Sequence, residues 1–288
     1  MAIRFSKGGF QIQPRRFGTA RIPLWMGRGI KVWRVIGSSV PGTSHIEAGL
    51  ECQDACDFAI FDADNECGLA VAISDGAGSA KYGGEGARST VRRAIEFMTQ
   101  EWRLLNRDVE SFFIELYKSA LSSIDDKAIS FQAPVKDFAC TLLTAIFIRD
   151  KGCFGQVGDG AWVVETKKHT DCMTWPQHGE FINETIFITT ENALEKMQIA
   201  EEEGLLFFSG FTDGLQGLAL HYASNSPHYP FFSHMKKGIE GTFDEKVLER
   251  ALMDFLNSEN VNERTDDDKT LILGLWSDGN EAKGNGPL

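Results

Sequence analysis

The hydrophobic period changes twice along this chain, and that change limits the folds open to it. Between Lys31 and Ser74 the apolar residues fall in short runs of strand type: Lys31–Ser38 with Val32, Trp33, Val35 and Ile36, then runs near Asp57–Asp62 and Leu69–Ser74. The turn between the last two carries Asp62, Asp64 and Asn65, residue types that accept tight backbone. From Gly84 the spacing becomes helical, with Ala87, Val91, Ala94, Ile95, Met98, Trp102 and Leu105 on one stripe. A second helix is predicted after Asp108, its N-cap, with Val109, Phe112, Phe113, Leu116 and Ala120 on one face. After Pro134 the strands return: Phe138–Ile148, Cys153–Val157 and Trp162–Glu165 as an antiparallel meander, then Leu205–Phe211. A helix over Glu245–Leu256 and a strand over Thr270–Trp276 follow. This is an α+β pattern, and two antiparallel sheets covered by helix pairs satisfy it in one domain.

Charge narrows the function classes. The net charge is −12, yet residues 1–34 hold eight basic residues and no acid, which leaves −20 on the remainder. An acidic body does not suit nucleic acid as a partner and does suit a protein that gathers divalent cations. The basic arm is expected to be a solvated extension or to dock on an acidic surface. Pro14 and Pro23 argue against an amphipathic transit helix within it. No apolar run reaches membrane-spanning length and no secretory leader is recognisable, so neither membrane nor secretion is expected. The six cysteines lack disulfide-framework spacing, which points to free thiols in a cytoplasmic setting.

The placement of the acids carries the chemistry. Asp75 ends the apolar run Ala70–Ser74 and Asp213 ends Leu205–Thr212, while Asp54 precedes one strand and Asp267 and Asp268 precede the last. Isolated buried carboxylates cost several kcal/mol each unless something pairs with them. Of Lys and Arg, only Lys269 stands beside these acids, so a hard divalent cation is the natural partner. Asp-Gly is also a common hairpin turn. Asp278-Gly279 reads as a turn, and Asp159-Gly160, between two strands, reads equally as a hairpin or a site. Asp75 and Asp213 lead into segments that do not continue as strands, so neither fits a hairpin. A phosphate loop is excluded by the missing Gly-Lys-Ser/Thr, and a nucleophile elbow at Ser74 or Ser209 by its flanks. A zinc site from His45, Cys52, Cys56 and Cys67 lacks ligand spacing.

In order, the segments Gly37–Ala55, Ala72–Gly86, Cys140–Thr144, Gln156–Val163, Phe208–Leu218 and Asp267–Leu273 resemble the PP2C-type (PPM) metal-dependent protein serine/threonine phosphatases. They are most similar to the divergent bacterial branch with a Gln-Asp-Ala first motif. The resemblance implies a central antiparallel β-sandwich flanked by helix pairs over residues 32–276, with a basic extension at 1–31 and a polar tail at 277–288. It implies two Mn²⁺ or Mg²⁺ ions, with Asp75 bridging them, the Gly76 carbonyl on one, Asp54 holding metal-bound water, and Asp213 and Asp267 completing the set. Asp268 stands where the family has Asn. The implied reaction is in-line attack on a phosphomonoester by a metal-bridging hydroxide. Phosphoserine or phosphothreonine proteins are the implied substrates and a cognate kinase the implied partner.

Three positions depart from the pattern: Gln53 replaces a Glu, Gly49 the phosphate-binding Arg, and Gly217 an Asp linked to a third metal through Asp159. His45, in a loop after Pro41-Gly42, becomes the candidate for binding phosphate or protonating the leaving oxygen. The alternative is a catalytically weak or inactive module that binds a kinase or phosphoprotein.

Overall fold

Which residues alternate along each strand decides how this molecule is layered. A computed structural model of the chain describes residues 31–177, 185–242 and 244–278; the basic arm to residue 30 and the tail from residue 279 lie outside the described residues. The chain begins with β1 (Lys31–Val40), a short helix α1 (Thr43–Ala48), the hairpin β2 (Ala55–Ala63) and β3 (Glu66–Ser74), and the long helices α2 (Gly83–Glu101) and α3 (Val109–Phe131). Next come β4 (Leu142–Ile148), β5 (Lys151–Val157), β6 (Ala161–Thr166), β7 (Thr170–Thr174), β8 (Gln198–Glu202) and β9 (Leu205–Phe211). A short helix α4 (Gln216–Ala219) and the ribbon β10 (Leu220–His221) with β11 (Ser226–Pro227) lead to α5 (Tyr229–Glu240), α6 (Glu245–Leu256) and α7 (Glu259–Asn262). Strand β12 (Lys269–Asp278) follows.

Two five-stranded sheets result, in the orders β1-β12-β9-β6-β7 and β2-β3-β4-β5-β8, with antiparallel pairing throughout. Leu69, Val71 and Ile73 of β3 point between the sheets, where Trp33, Phe58, Phe147, Phe154, Trp162, Phe208 and Ile272 join them. The alternate residues Ala70 and Ala72 face outward and pack under Ala87, Val91, Ala94 and Met98 of α2 and Phe113, Leu116 and Tyr117 of α3. Small residues there let the helices approach closely. On the opposite face Phe207, Leu271 and Leu273 receive Phe232 and Ile239 of α5 and Leu248, Leu252 and Leu256 of α6. The molecule is thus helix pair, sheet, sheet, helix pair, as the α+β pattern implied. Each fully buried aromatic contributes about 1.5–3 kcal/mol of transfer free energy to this core.

Local signals act as their chemistry requires. The Asp108 side chain accepts from Ser111 N–H at 2.7 Å and starts α3. Asp64 and Asn65 take φ of 57° and 72°, making the tight β2–β3 turn, and the Asp62 carboxylate accepts from Asn65 N–H. The structure differs from expectation at several points. Residues 138–141 are not strand: Val135–Phe138 is a 3₁₀ turn, and Ala139 and Thr141 instead bond the backbone of residues 75–77. Strand β6 does not continue a meander, because it pairs with β9 and β7 in the other sheet. Asp159-Gly160 is therefore a crossing between sheets and not a hairpin turn. Gly158 makes the crossing with φ 128°, and a Cβ there would fall 2.4 Å from Thr141 Cβ. Strand β12 runs past Trp276 to Asp278, opposite Lys31. Among the described residues, no helix is long and apolar enough to cross a membrane.

Candidate active site

Strand register brings the aspartates to one end of the sandwich. Ala55 pairs with Ser74, so Asp54 and Asp75 emerge together from β2 and β3. In the other sheet Leu271 and Ala161 both pair with Phe211, so Asp268, Asp159 and Asp213 sit just beyond a shared edge. One carboxylate oxygen from each of Asp75, Asp159 and Asp213 lies within 4.8 Å of the others. Asp54 and Asp267 stand outside that group of three but close enough to repel Asp75.

The surroundings hold these acids firmly. Asp75 N–H donates to Thr141 Oγ1 at 2.9 Å and its carbonyl accepts from Thr141 N–H at 2.8 Å. Asp54 is buried, and its Oδ2 accepts from Thr212 Oγ1 (2.8 Å) and Thr270 Oγ1 (2.7 Å), both from the opposite sheet. Its Oδ1 is buried without a hydrogen-bond partner. Asp159 Oδ2 accepts from Thr185 at 2.6 Å. Asp267 is exposed and its carboxylate accepts from Asp268 N–H at 2.8 Å. Gly76 is forced to be glycine, since a Cβ would lie 2.4 Å from the Gly83 carbonyl carbon and 2.6 Å from Gly84 N.

Asp268 is a structural anchor. Its Oδ1 accepts from Gly42 N–H at 2.7 Å and its Oδ2 from Gln53 N–H at 2.6 Å. His45 Nδ1 lies 2.9 Å from the same Oδ1 but off the line of a hydrogen bond. His45 belongs to α1 and not to a loop, because residues 43–48 close a helical turn ended by Gly49 at φ 68°.

Burial is the main cause that pushes Asp75 well above the ordinary carboxylate range, followed by the charges of Asp54, Asp213, Asp159 and Asp267. At Asp213 burial again leads, with Asp159 and Asp267 adding repulsion, and its carboxyl is pushed up to about 7. Asp54 is raised by burial and then by Asp268, against the lowering effect of its two threonine bonds. Lys269 does not neutralise the group: it is buried, burial lowers its pKa, and its Nζ donates to Asn262 at 2.7 Å. All-oxygen donors, a buried bare carboxylate oxygen and mutual repulsion fit a hard divalent cation. Among the described residues the clustered His, Cys, Asp and Glu side chains are these three aspartates, so the cysteine–histidine zinc set does not assemble.

Several residues at the site are not evident from sequence. Asp159 joins the cluster, its signal being a glycine on either side. Thr141, Thr212 and Thr270 lie within the resembling segments, but nothing in their spacing says that their hydroxyls meet Asp75 N–H and Asp54 Oδ2. Tyr222 reaches the edge of the cluster from the segment 217–242. Its phenol is pushed up by burial and then by Asp159 and Asp213, and its OH donates to Gln216, whose amide donates to the Asp159 carbonyl.

Comparison with known proteins bears on this arrangement. A family model described as protein phosphatase 2C matches residues 41–257. Serine/threonine-protein phosphatase 3 of Escherichia coli (strain K12) is 38% identical over 255 residues, 85% of this chain and 99% of its own. The solved serine/threonine phosphatase of S. agalactiae superposes with a TM-score of 0.61 at 14% identity, over 85% of this chain and all of its own. RsbX, solved in complex with magnesium, gives a TM-score of 0.51 at 16% identity, over 85% and 96%. At such identities the two structures speak for the fold alone.

Proposed function

The chain belongs to the protein phosphatase 2C family, a metal-dependent family, and from that premise we propose that it removes phosphate from phosphoserine and phosphothreonine in proteins at the aspartate cluster. The observation that carries the reading is the convergence of three carboxylates from three separate connections within 4.8 Å. In this reading Asp75, Asp213 and Asp267, with the Gly76 carbonyl, hold two Mn²⁺ or Mg²⁺ ions, and Asp54 orients water beside them. Asp159 adds a further oxygen donor to that set. Ions bound there supply charge neutralisation for the phosphoryl oxygens and an acidified water.

The chain's own residues then do three things. Thr212 and Thr270 fix Asp54 Oδ2, so that its bare Oδ1 is the atom aimed at water or cation. Thr141 fixes the Asp75 backbone, and the close packing of Gly76 on Gly83 keeps its carbonyl in place. His45 lies with Nδ1 2.9 Å from Asp268 Oδ1, and in this reading its imidazole is the group that protonates the departing serine oxygen. A kinase that writes the mark is the functional counterpart, and a cytoplasmic setting suits the free thiols. The inactive-module alternative has nothing in its favour beside a phosphatase relative that matches nearly end to end.

The test is hydrolysis of p-nitrophenyl phosphate with Mn²⁺ or Mg²⁺, comparing wild type with Asp75→Asn and Asp213→Asn, followed by phosphopeptides. Metal-dependent turnover lost in both variants, with phosphoserine and phosphothreonine preferred to phosphotyrosine, is the expected result. Wild-type protein inactive in every divalent metal overturns the reading.

A further inference from the structure

A phosphomonoester dianion approaching this site meets an acidic body and at least five carboxylates. Bound cations offset part of that repulsion, yet the substrate also needs a fixed cation of the protein to orient it. Lys269 is committed to Asn262, and His45 is held against Asp268. Position 49, at the end of α1, is a glycine and offers no side chain.

The structure supplies a guanidinium from another direction. Gly76 packs on the backbone of Gly83 and Gly84, and a Cβ built on Gly84 would lie 3.2 Å both from Arg88 Nη1 and from the Cα of Gln53. Arg88, one turn further along α2, therefore lies over Gly84 beside the residue that precedes Asp54. Its Nη2 donates to Glu85 Oε1 at 2.7 Å, and the other Glu85 oxygen takes Lys127 Nζ at 3.2 Å. Glu85 is thus balanced by two cations, and the pair of basic residues leaves net positive charge. Arg88 Nε is buried without a hydrogen-bond partner, and so is Gln53 Oε1. A guanidinium normally places all five N–H donors, and a buried one left bare costs about 1–3 kcal/mol.

We propose that Arg88 binds the phosphate of the substrate, using the edge of the fork that Glu85 leaves free. The inference rests on the phosphatase reading and adds to it a residue outside the aspartate cluster. Glu85 presets the guanidinium and Lys127 keeps Glu85 from cancelling its charge.

The experiment is steady-state hydrolysis of p-nitrophenyl phosphate in saturating Mn²⁺, with inorganic phosphate as competitor, for wild type, Arg88→Met and Arg88→Lys. Arg88→Met raises KM and the phosphate Ki together by about 10- to 100-fold, the loss expected of one charge-assisted hydrogen-bonding group, while kcat changes less. Arg88→Lys recovers part of the loss, because an ammonium keeps the charge and not the fork. Phosphate added to the Mn²⁺-loaded protein raises Tm in wild type and fails to do so in Arg88→Met, a readout free of turnover. Wild-type KM and Ki in Arg88→Met overturn the proposal, as does a KM defect that follows a shifted Mn²⁺ midpoint. If Arg88→Met does not fold, Arg88→Lys decides by the same parallel rise or its absence. Failure of the phosphatase reading shows differently, as wild-type protein without metal-dependent turnover or Asp75→Asn that keeps it.

Discussion

Removing one charge from the aspartate cluster is expected to strengthen the metal-free fold while destroying its function. Burial, and then the charges of Asp159 and Asp267, push the folded Asp213 carboxyl up to about 7 from an ordinary 3.8. Three units at 1.36 kcal/mol each amount to about 4 kcal/mol of penalty once the group is ionised. The sign follows from proton binding. Between the unfolded pKa near 4 and the folded pKa near 7 the folded state holds the extra proton, so stability falls as pH rises through that window and levels off above it. Asp213→Asn removes the penalty but also weakens the bonds from Gly214 N–H and to the Asp75 carboxyl, at about 1 kcal/mol each. The net gain near pH 8 is about 2 kcal/mol, or about 4–8 °C in Tm for a domain of this size. Calorimetry in chelator across roughly pH 5 to 8.5 reads it: the variant and wild type melt together at the acid end and diverge above. Added Mn²⁺ raises the wild-type Tm, by about 2.7 kcal/mol of stability at a hundred times Kd, and raises the variant's much less. A metal-free wild type whose Tm is level or climbs over that window, with Asp213→Asn no more stable at its upper end, refutes the reasoning.

Gly76→Ala pushes a methyl into the Gly83–Gly84 backbone, and loss of more than about 3 kcal/mol, read by denaturant unfolding, is expected. Thr270→Val strips one hydrogen bond from buried Asp54, so urea titration of the metal-free protein shows a loss of about 1–3 kcal/mol. Asp268→Ala orphans the Gly42 and Gln53 N–H groups and lowers Tm clearly, whereas Asp268→Asn, which keeps one acceptor oxygen, lowers it by less; scanning calorimetry of the pair separates them.

The layers were legible because each strand and helix states its own period. The β3 run reads as an apolar strand ended by Asp75, and in the fold it is buried on both faces, with Ala70 and Ala72 under helices and Leu69, Val71 and Ile73 in the sandwich. What sequence does not state is which sheet a strand joins. Cys153–Val157 and Trp162–Glu165 look like neighbours in a meander, yet the glycines at 158 and 160 mark a change of sheet, and Asp159 was ambiguous for that reason. Helix α5 went unread because Gly217–Thr242 mixes aromatics and histidines, and its apolar stripe of Phe232, Met235 and Ile239 makes sense only against β12 and β9. The threonines around Asp54 were invisible for a simpler reason, since a hydroxyl next to an acid in sequence has no obligation to face a different acid across a sandwich.

The two sheets bring opposing halves of the acid cluster, which makes metal binding and sheet packing one problem. Asp54 and Asp75 belong to the sheet of β2 and β3; Asp213, Asp267 and Asp268 belong to that of β9 and β12, and Asp159 sits where the chain crosses between them. Ionised, these groups push the sheets apart at that end, against the aromatic core and the two hydroxyls that tie Asp54 across the gap. A cation between them converts repulsion into a staple, so its binding free energy is also free energy of folding. At Asp75, Asp159 and Asp213, substitutions that relieve the repulsion therefore stabilise the metal-free protein and weaken the metal-bound protein by the ligand they delete, whereas at Asp268 the lost backbone bonds outweigh the relief. A cluster that binds no cation would show the first effect without the second.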